Sequence, residues 1–117
     1  MKELKLGSLY YEISRHNPPA AYIDPGETLS VETQDTFNGL VLKEGDHRDI
    51  KRKPYGNPQS GPIYVNGAEK GDTLAVHIDK IEARLGQAAK DMTWGKNGMS
   101  EFLGPDVPRA TRICPVE

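Results

Sequence analysis

The chain has 117 residues, of which 36% are hydrophobic and 27% charged, and this length predicts one domain that buries a core. Its formal net charge of −2 argues against nucleic acid or an anionic membrane as partner, because phosphate binding needs a concentrated basic surface. No apolar run approaches the roughly 20 residues of a membrane span, and the single cysteine excludes an internal disulfide and favours a reducing cytoplasm.

Turn-forming residues divide the first half of the chain into short predicted strands. Alternating side chains predict an opening strand within Leu4–Ser14, and a loop follows because Pro18 and Pro19 fix φ and prevent a helix. A second strand is predicted over Thr28–Thr33. The charged, turn-rich segment 43–60 is predicted to be a mobile loop.

In the second half of the chain the strand pattern is clear up to Gly86 and weak after it. Strands are predicted over Pro62–Val65 and Thr73–Ala83, the latter with an apolar residue at every second position. Residues 87–99 show only weak helical periodicity, and Arg109–Val116 is again typical of a strand. Short strands separated by turns predict a single all-β domain over residues 1–117, a β-sandwich of short, mainly antiparallel strands with long turn-rich loops.

One four-residue pattern, Gly-acid-Thr-Leu, occurs twice, at Gly26–Leu29 and Gly71–Leu74. Glycine gives the backbone access to positive φ, and an alternating run follows each copy, so both are predicted to be turns that lead into core strands. The side chains expected to be buried together are Leu29, Val31, Leu74, Val76 and Ile78.

Asp35 and His16 are the candidate ligands or substrate contacts. Asp35 follows a predicted strand beside a glycine turn, where a carboxylate can reach a cation or an amide without being buried. The alternative is an Asx-turn, in which it accepts hydrogen bonds from the following amides. His16 lies in the proline-stiffened loop, and an unperturbed pKa of about 6.5 suits it to bind zinc or move a proton. The alternative is a surface histidine bonded locally.

Glu69 is the candidate acid or base. Its small neighbours Gly67 and Ala68 leave the carboxylate room to act as base, ligand or substrate anchor, and a purely structural turn is the alternative. Asp72 is interpreted as turn chemistry, and Cys114, among apolar neighbours, as a buried packing residue rather than a nucleophile. No HxH or HExxH spacing exists, so local sequence assembles no complete metal site.

Taken together, the motifs resemble the acetamidase/formamidase family. The resemblance is strong in the first two thirds of the chain and faint after Gly86, and the family's enzymes are well over twice this length. It therefore covers only their amino-terminal portion. Lys70 stands where the family usually has proline. The residues that carry the resemblance are His16-Asn17, Pro18-Pro19, Pro25-Gly26-Glu27, Glu32-Thr33-Gln34-Asp35 and the run from Gly61 to Val76.

The resemblance implies an amide hydrolase, or part of one, that cleaves short aliphatic amides such as formamide or acetamide into carboxylate and ammonia. A chemically sensible route for this reaction uses a divalent metal ion, zinc or calcium, with Asp35 and His16 in the metal or substrate shell and Glu69 as acid and base. The remaining ligands would come from a complementary carboxyl-terminal half or from another subunit, so the chain is not expected to be active alone.

The alternative function is that of a non-catalytic β-sandwich module that completes or binds another chain. Either function predicts a large apolar contact with a partner, the complementary half or another copy. An obligate contact of this kind should bury on the order of 2,000 Å² in total.

Overall fold

The computed structural model describes residues 1–47, 49, 51–52, 55–91 and 110–116. These residues form six β-strands and no helix, which confirms the all-β prediction. Within them, therefore, no helix is long and apolar enough to cross a membrane. The strands are β1 Lys2–Leu4, β2 Ala21–Ile23, β3 Leu29–Val31, β4 Ile63–Val65, β5 Gln87–Asp91 and β6 Thr111–Pro115.

The chain divides into two compact units. The first unit consists of Met1–Asn38 and Tyr55–Ile78, and it contains β1 to β4. The second consists of Gly39–Pro54 and Asp79–Glu117, and it contains β5 and β6. That all 117 residues form one domain stays a prediction.

The first unit is built from two parallel strand pairs. Strand β1 pairs with β3, placing Lys2 opposite Leu29, and β2 pairs with β4, placing Ala21 opposite Ile63. Because parallel neighbours need a long crossover connection, each pair joins segments far apart in sequence. Of the three described pairs only β5–β6 is antiparallel, so neither antiparallel dominance nor a sandwich is confirmed.

Several predicted strands are present in shorter form. Strands β3, β4 and β6 lie inside three of the predicted segments. The opening strand ends at Leu4, and beyond it only Tyr10 forms a bridge, to Gln59. Strand β5 replaces the weak helical periodicity after Gly86, while residues 92–99 and Arg109 lie outside the described residues.

The predicted core strand Thr73–Ala83 is absent, and that prediction was wrong. Residues 73–83 form no strand, helix or turn. The expected cluster is not buried either: Leu29 is half-buried, and the exposed fractions are 36% for Val31, 67% for Leu74, 74% for Val76 and 66% for Ile78. The alternating pattern supplies an apolar face, but no described part of the chain covers that face.

Burial is sparse throughout the described residues. Val41, with 4% of its surface exposed, is the buried hydrophobic side chain among them. Cys114, predicted to be buried, is exposed on β6. Its apolar neighbours indicated a packed environment, but the two-stranded β5–β6 ladder leaves this position open to water.

Exposed polar contacts join the two strand pairs of the first unit. The Lys2 ammonium donates to the Tyr22 carbonyl at 3.1 Å and to a Glu27 carboxylate oxygen at 2.6 Å. Tyr22 in turn packs against Tyr64 across β2 and β4, with ring centroids 5.4 Å apart. Exposed ion pairs contribute little stability singly, so these contacts fix position more than they stabilise.

The Lys2–Glu27 contact can be tested by titration. The hydrogen bond from Lys2, and then that from the Asp24 amide, lower the pKa of Glu27 below its ordinary 4.5. Ionised Glu27 therefore stabilises the folded chain above the unfolded pKa, and this contribution is lost as the pH falls through the folded value. By NMR titration of the Glu27 carboxyl carbon, we expect Lys2→Gln to raise this pKa.

Lys5→Gln is the matched control, because Lys5 pairs with Glu3 and Glu32 instead. It should leave the titration of Glu27 unchanged. A Glu27 midpoint that Lys2→Gln does not move would contradict the assigned contact.

Candidate functional site

Two turns of the first unit, Asp24–Glu27 and Glu69–Asp72, share one construction. In both, the carbonyl oxygen of the first residue accepts a hydrogen bond from the amide of the fourth at 3.1 Å. In both, the carboxylate of the fourth residue accepts one from the amide of the first, at 2.6 Å for Glu27 and 2.8 Å for Asp72. The acidic residue after each glycine is therefore a structural part of its turn, as predicted for Asp72.

The third residue of each turn has the left-handed backbone that only glycine adopts readily. Gly26 has φ +86° and Gly71 has φ +105°, which confirms the predicted use of these glycines. The second position is Pro25 in one turn and Lys70 in the other. Proline suits this position, and its replacement by lysine leaves the hydrogen bonds of the turn in place.

Glu69 differs from its counterpart in the first turn. Asp24, at the same turn position, accepts a hydrogen bond from the Asn66 side-chain amide at 2.8 Å. Glu69 contributes its backbone to the turn, and its exposed carboxylate has no partner among the residues that the structure describes. The turn thus holds the Glu69 backbone while leaving the carboxylate available for a substrate, a proton or a group outside these residues.

Asp35 forms the Asx-turn that was the alternative to a ligand role. Its carboxylate oxygen Oδ1 accepts a hydrogen bond from the Phe37 amide at 2.8 Å, and its carbonyl accepts one from the Asn38 amide at 3.0 Å. The residue is exposed.

His16 lies in an exposed loop that is closed by local hydrogen bonds. Its amide donates to Ser14 Oγ at 3.2 Å, and the amide of Asn17 donates to the Ser14 carbonyl at 3.2 Å. The Arg15 Nε group donates to His16 Nε2 at 3.5 Å. A metal ion bound through that nitrogen would require the arginine side chain to move away.

The described residues do not gather a complete metal site. Among them, no group of three or more His, Cys, Asp or Glu side chains is placed to hold an ion. Structural and catalytic sites for zinc use at least three protein ligands. His16 and Asp35 could therefore supply only part of such a site.

A cleft of about 310 Å³ lies in the first unit, at the lower end of the roughly 300–1,000 Å³ of small-molecule sites. Its polar lining includes Lys5, Ser8 and Ser60, and its apolar lining includes the two prolines that follow the His16 loop. Neither His16 nor Asp35 lines it. The lining residues are Leu4, Lys5, Gly7, Ser8, Tyr10, Pro18, Pro19, Ala20, Ser60 and Gly61.

Glu32 positions two of these lining residues, a role that the sequence analysis missed. Its carboxylate lies 3.7 Å from the Lys5 ammonium and accepts a hydrogen bond from the Leu6 amide at 2.8 Å. Its carbonyl oxygen accepts one from Ser60 Oγ at 2.7 Å. The hydrogen bond and charge of Glu3, followed by the charge of Glu32, raise the pKa of Lys5. Glu32 belongs to the motif Glu32-Thr33-Gln34-Asp35, but the sequence alone does not show which distant residues it contacts.

The other two histidines of the chain are His47 and His77. His47, in the second unit, lies with Nδ1 3.3 Å from Thr111 Oγ1, and Thr111 also donates to the Asp46 carbonyl. His77 lies in the exposed segment after the second turn.

Comparison with known proteins places these features in a family context. A model of the Acetamidase/Formamidase family matches residues 13–103. A protein of Schizosaccharomyces pombe that is named as a formamidase is 31% identical over 103 residues, which are 81% of this chain and 24% of that protein. The formamidase of Methylophilus methylotrophus is 29% identical over 103 residues, with the same two coverages.

A solved structure is similar as well. The acetamidase from Yersinia enterocolitica has 26% sequence identity and a TM-score of 0.58, covering 93% of this chain and 36% of that one. The chain spans about a quarter of the length of the curated relatives, 24% in both cases, and corresponds to their amino-terminal part.

Alanine substitutions distinguish the carboxylate of Asp72, which takes part in the second turn, from that of Glu69, which has no partner among the described residues. Asp72→Ala removes the acceptor of the Glu69 amide and should lower the free energy of unfolding by about 0.5–1.5 kcal/mol. Glu69→Ala removes no described contact and should change it by less than about 0.5 kcal/mol. Chemical denaturation of both variants measures this difference. Equal losses would show that the Glu69 carboxylate has a structural role.

Proposed function

Because the chain belongs to the acetamidase/formamidase family, we propose that it forms the amino-terminal portion of an amide hydrolase. The substrates are short aliphatic amides such as formamide or acetamide, and the products are the carboxylate and ammonia. The family match over residues 13–103 carries this proposal. Since the chain spans about a quarter of the curated relatives, the activity is assigned to the completed protein and not to this chain alone.

Glu69 is the proposed acid and base. Its carboxylate takes a proton from a water molecule as the water oxygen bonds to the amide carbon. When the C–N bond breaks, the same group returns a proton to the nitrogen, which leaves as ammonia. The support is that the turn fixes the Glu69 backbone through Asp72 while its carboxylate has no partner in the described part of the chain.

A divalent ion, zinc or calcium, is proposed as a cofactor, with His16 and Asp35 among its ligands. The described residues complete no such site, so the remaining ligands would belong to other parts of the protein. Asp35→Asn retains an oxygen that can accept from the Phe37 amide. It should therefore lower the metal content, measured by elemental analysis, with little effect on the melting temperature. A lower melting temperature with unchanged metal content would leave Asp35 as a turn residue only.

The non-catalytic module is the less favoured function, because the relatives are named as amide hydrolases. We also propose that the completed protein is cytoplasmic and oligomeric, which fractionation and sedimentation would test.

The activity is tested on the protein as the source organism expresses it. This protein is tagged at its amino terminus and purified, and its length is measured by mass spectrometry. We expect ammonia release from formamide or acetamide. Glu69→Gln should reduce kcat about 10²- to 10⁴-fold without changing the amount of folded protein.

Glu12→Gln is the matched control. Glu12 is also exposed, and its substitution should leave kcat unchanged. A Glu69→Gln protein of normal activity would remove Glu69 from the mechanism. A completed wild-type protein inactive on both amides would contradict the proposed function.

A further inference from the structure

The segment that follows the second turn exposes an unusual series of apolar side chains. In the first unit, Leu74, Val76 and Ile78 alternate with Ala75 and His77, and all three are at least 66% exposed. In a β-strand, alternate side chains share one face. Residues 73–78 form no strand in the structure, but in a strand these three side chains would share one apolar face, which is typical of an interaction surface.

The segment after the first turn is similar in sequence, and it pairs with another strand. After Asp24–Glu27 the chain continues Thr-Leu-Ser-Val, and Leu29–Val31 pairs in parallel with Lys2–Leu4. After Glu69–Asp72, the turn with the same hydrogen bonds, the chain continues Thr-Leu-Ala-Val. This second segment has the same local design, but it pairs with no strand of the described chain.

We propose that residues 73–78 are a docking strand, which pairs with a β-strand from the part of the family's polypeptide that this chain does not match. The turn sets the start of the strand through Gly71 and Asp72, and the face formed by Leu74, Val76 and Ile78 packs against the arriving layer. Recognition combines main-chain hydrogen bonds with pockets for alternate side chains, as in other cases of strand addition.

The length of the relatives identifies the occupant. This chain matches 24% of each curated relative and 36% of the solved acetamidase, so most of each relative has no counterpart here. In the second unit, Ile81 and Leu85 are also 82% and 59% exposed. The exposed series Leu74, Val76 and Ile78 lies in the family-matched region, so the proposed cover is the polypeptide that accompanies that region in the relatives.

Hydrogen exchange tests the docking strand without reference to catalysis. The inference rests on family membership and not on the proposed activity, so it can fail independently of that activity. Residues 1–117 are expressed alone and together with the carboxyl-terminal part of the Schizosaccharomyces pombe relative that they do not match. We expect a complex in which the amides of residues 74–78 exchange about tenfold or more slowly than in the chain alone.

Two aspartate variants make the test specific. Val76 and Ile13 are 74% and 93% exposed, so neither substitution should unfold the chain alone. Val76→Asp should abolish the complex, while Ile13→Asp should leave it intact. No complex, or a complex in which residues 74–78 exchange as in the free chain, would overturn the proposal. Protection of these amides in the chain alone by self-association would also overturn it, since the occupant would then be a second copy.

Discussion

A short β-strand is stable only where a second layer covers its apolar side chains, and this constraint governs the whole chain. The strands in the part of the chain that the structure describes have three or five residues and are paired in twos, and an isolated two-stranded pair is marginal in water. In the described residues, Val41 is the buried hydrophobic side chain. The described residues of both units therefore leave apolar side chains in water.

The two turns, in contrast, are held by interactions among their own residues. A carbonyl-to-amide hydrogen bond, a carboxylate that returns to the first amide and a glycine at positive φ fix both Asp24–Glu27 and Glu69–Asp72. None of these contacts needs a distant partner. The chain can thus hold the backbone of Glu69 in place through contacts within its own turn.

This division explains how far the sequence could predict the structure. The turn glycines, the Asx-turn of Asp35 and the strands near Leu29–Val31 and Ile63–Val65 follow from neighbouring residues, and these predictions agree with the structure. The exposure of residues 73–83 could not be predicted, because alternation indicates an apolar face and not whether anything covers it.

Long-range pairing had no local signal either. Parallel order depends on which distant segments meet, and the motifs do not encode this choice. In the candidate site, the turn around Glu69 could be predicted from its small and acidic neighbours. The role of Glu32 could not, because it rests on contacts with Lys5 and Ser60 that only the folded chain brings together.

The heat capacity change of unfolding measures most directly whether the chain lacks part of its core. It scales with the apolar surface that unfolding exposes, at about 12–15 cal/mol/K per residue for ordinary globular proteins. A self-sufficient domain of 117 residues would therefore give about 1.4–1.8 kcal/mol/K. For residues 1–117 alone, calorimetry should give about half of this or less. A full-sized value would show that the chain buries a core of its own and would contradict the account.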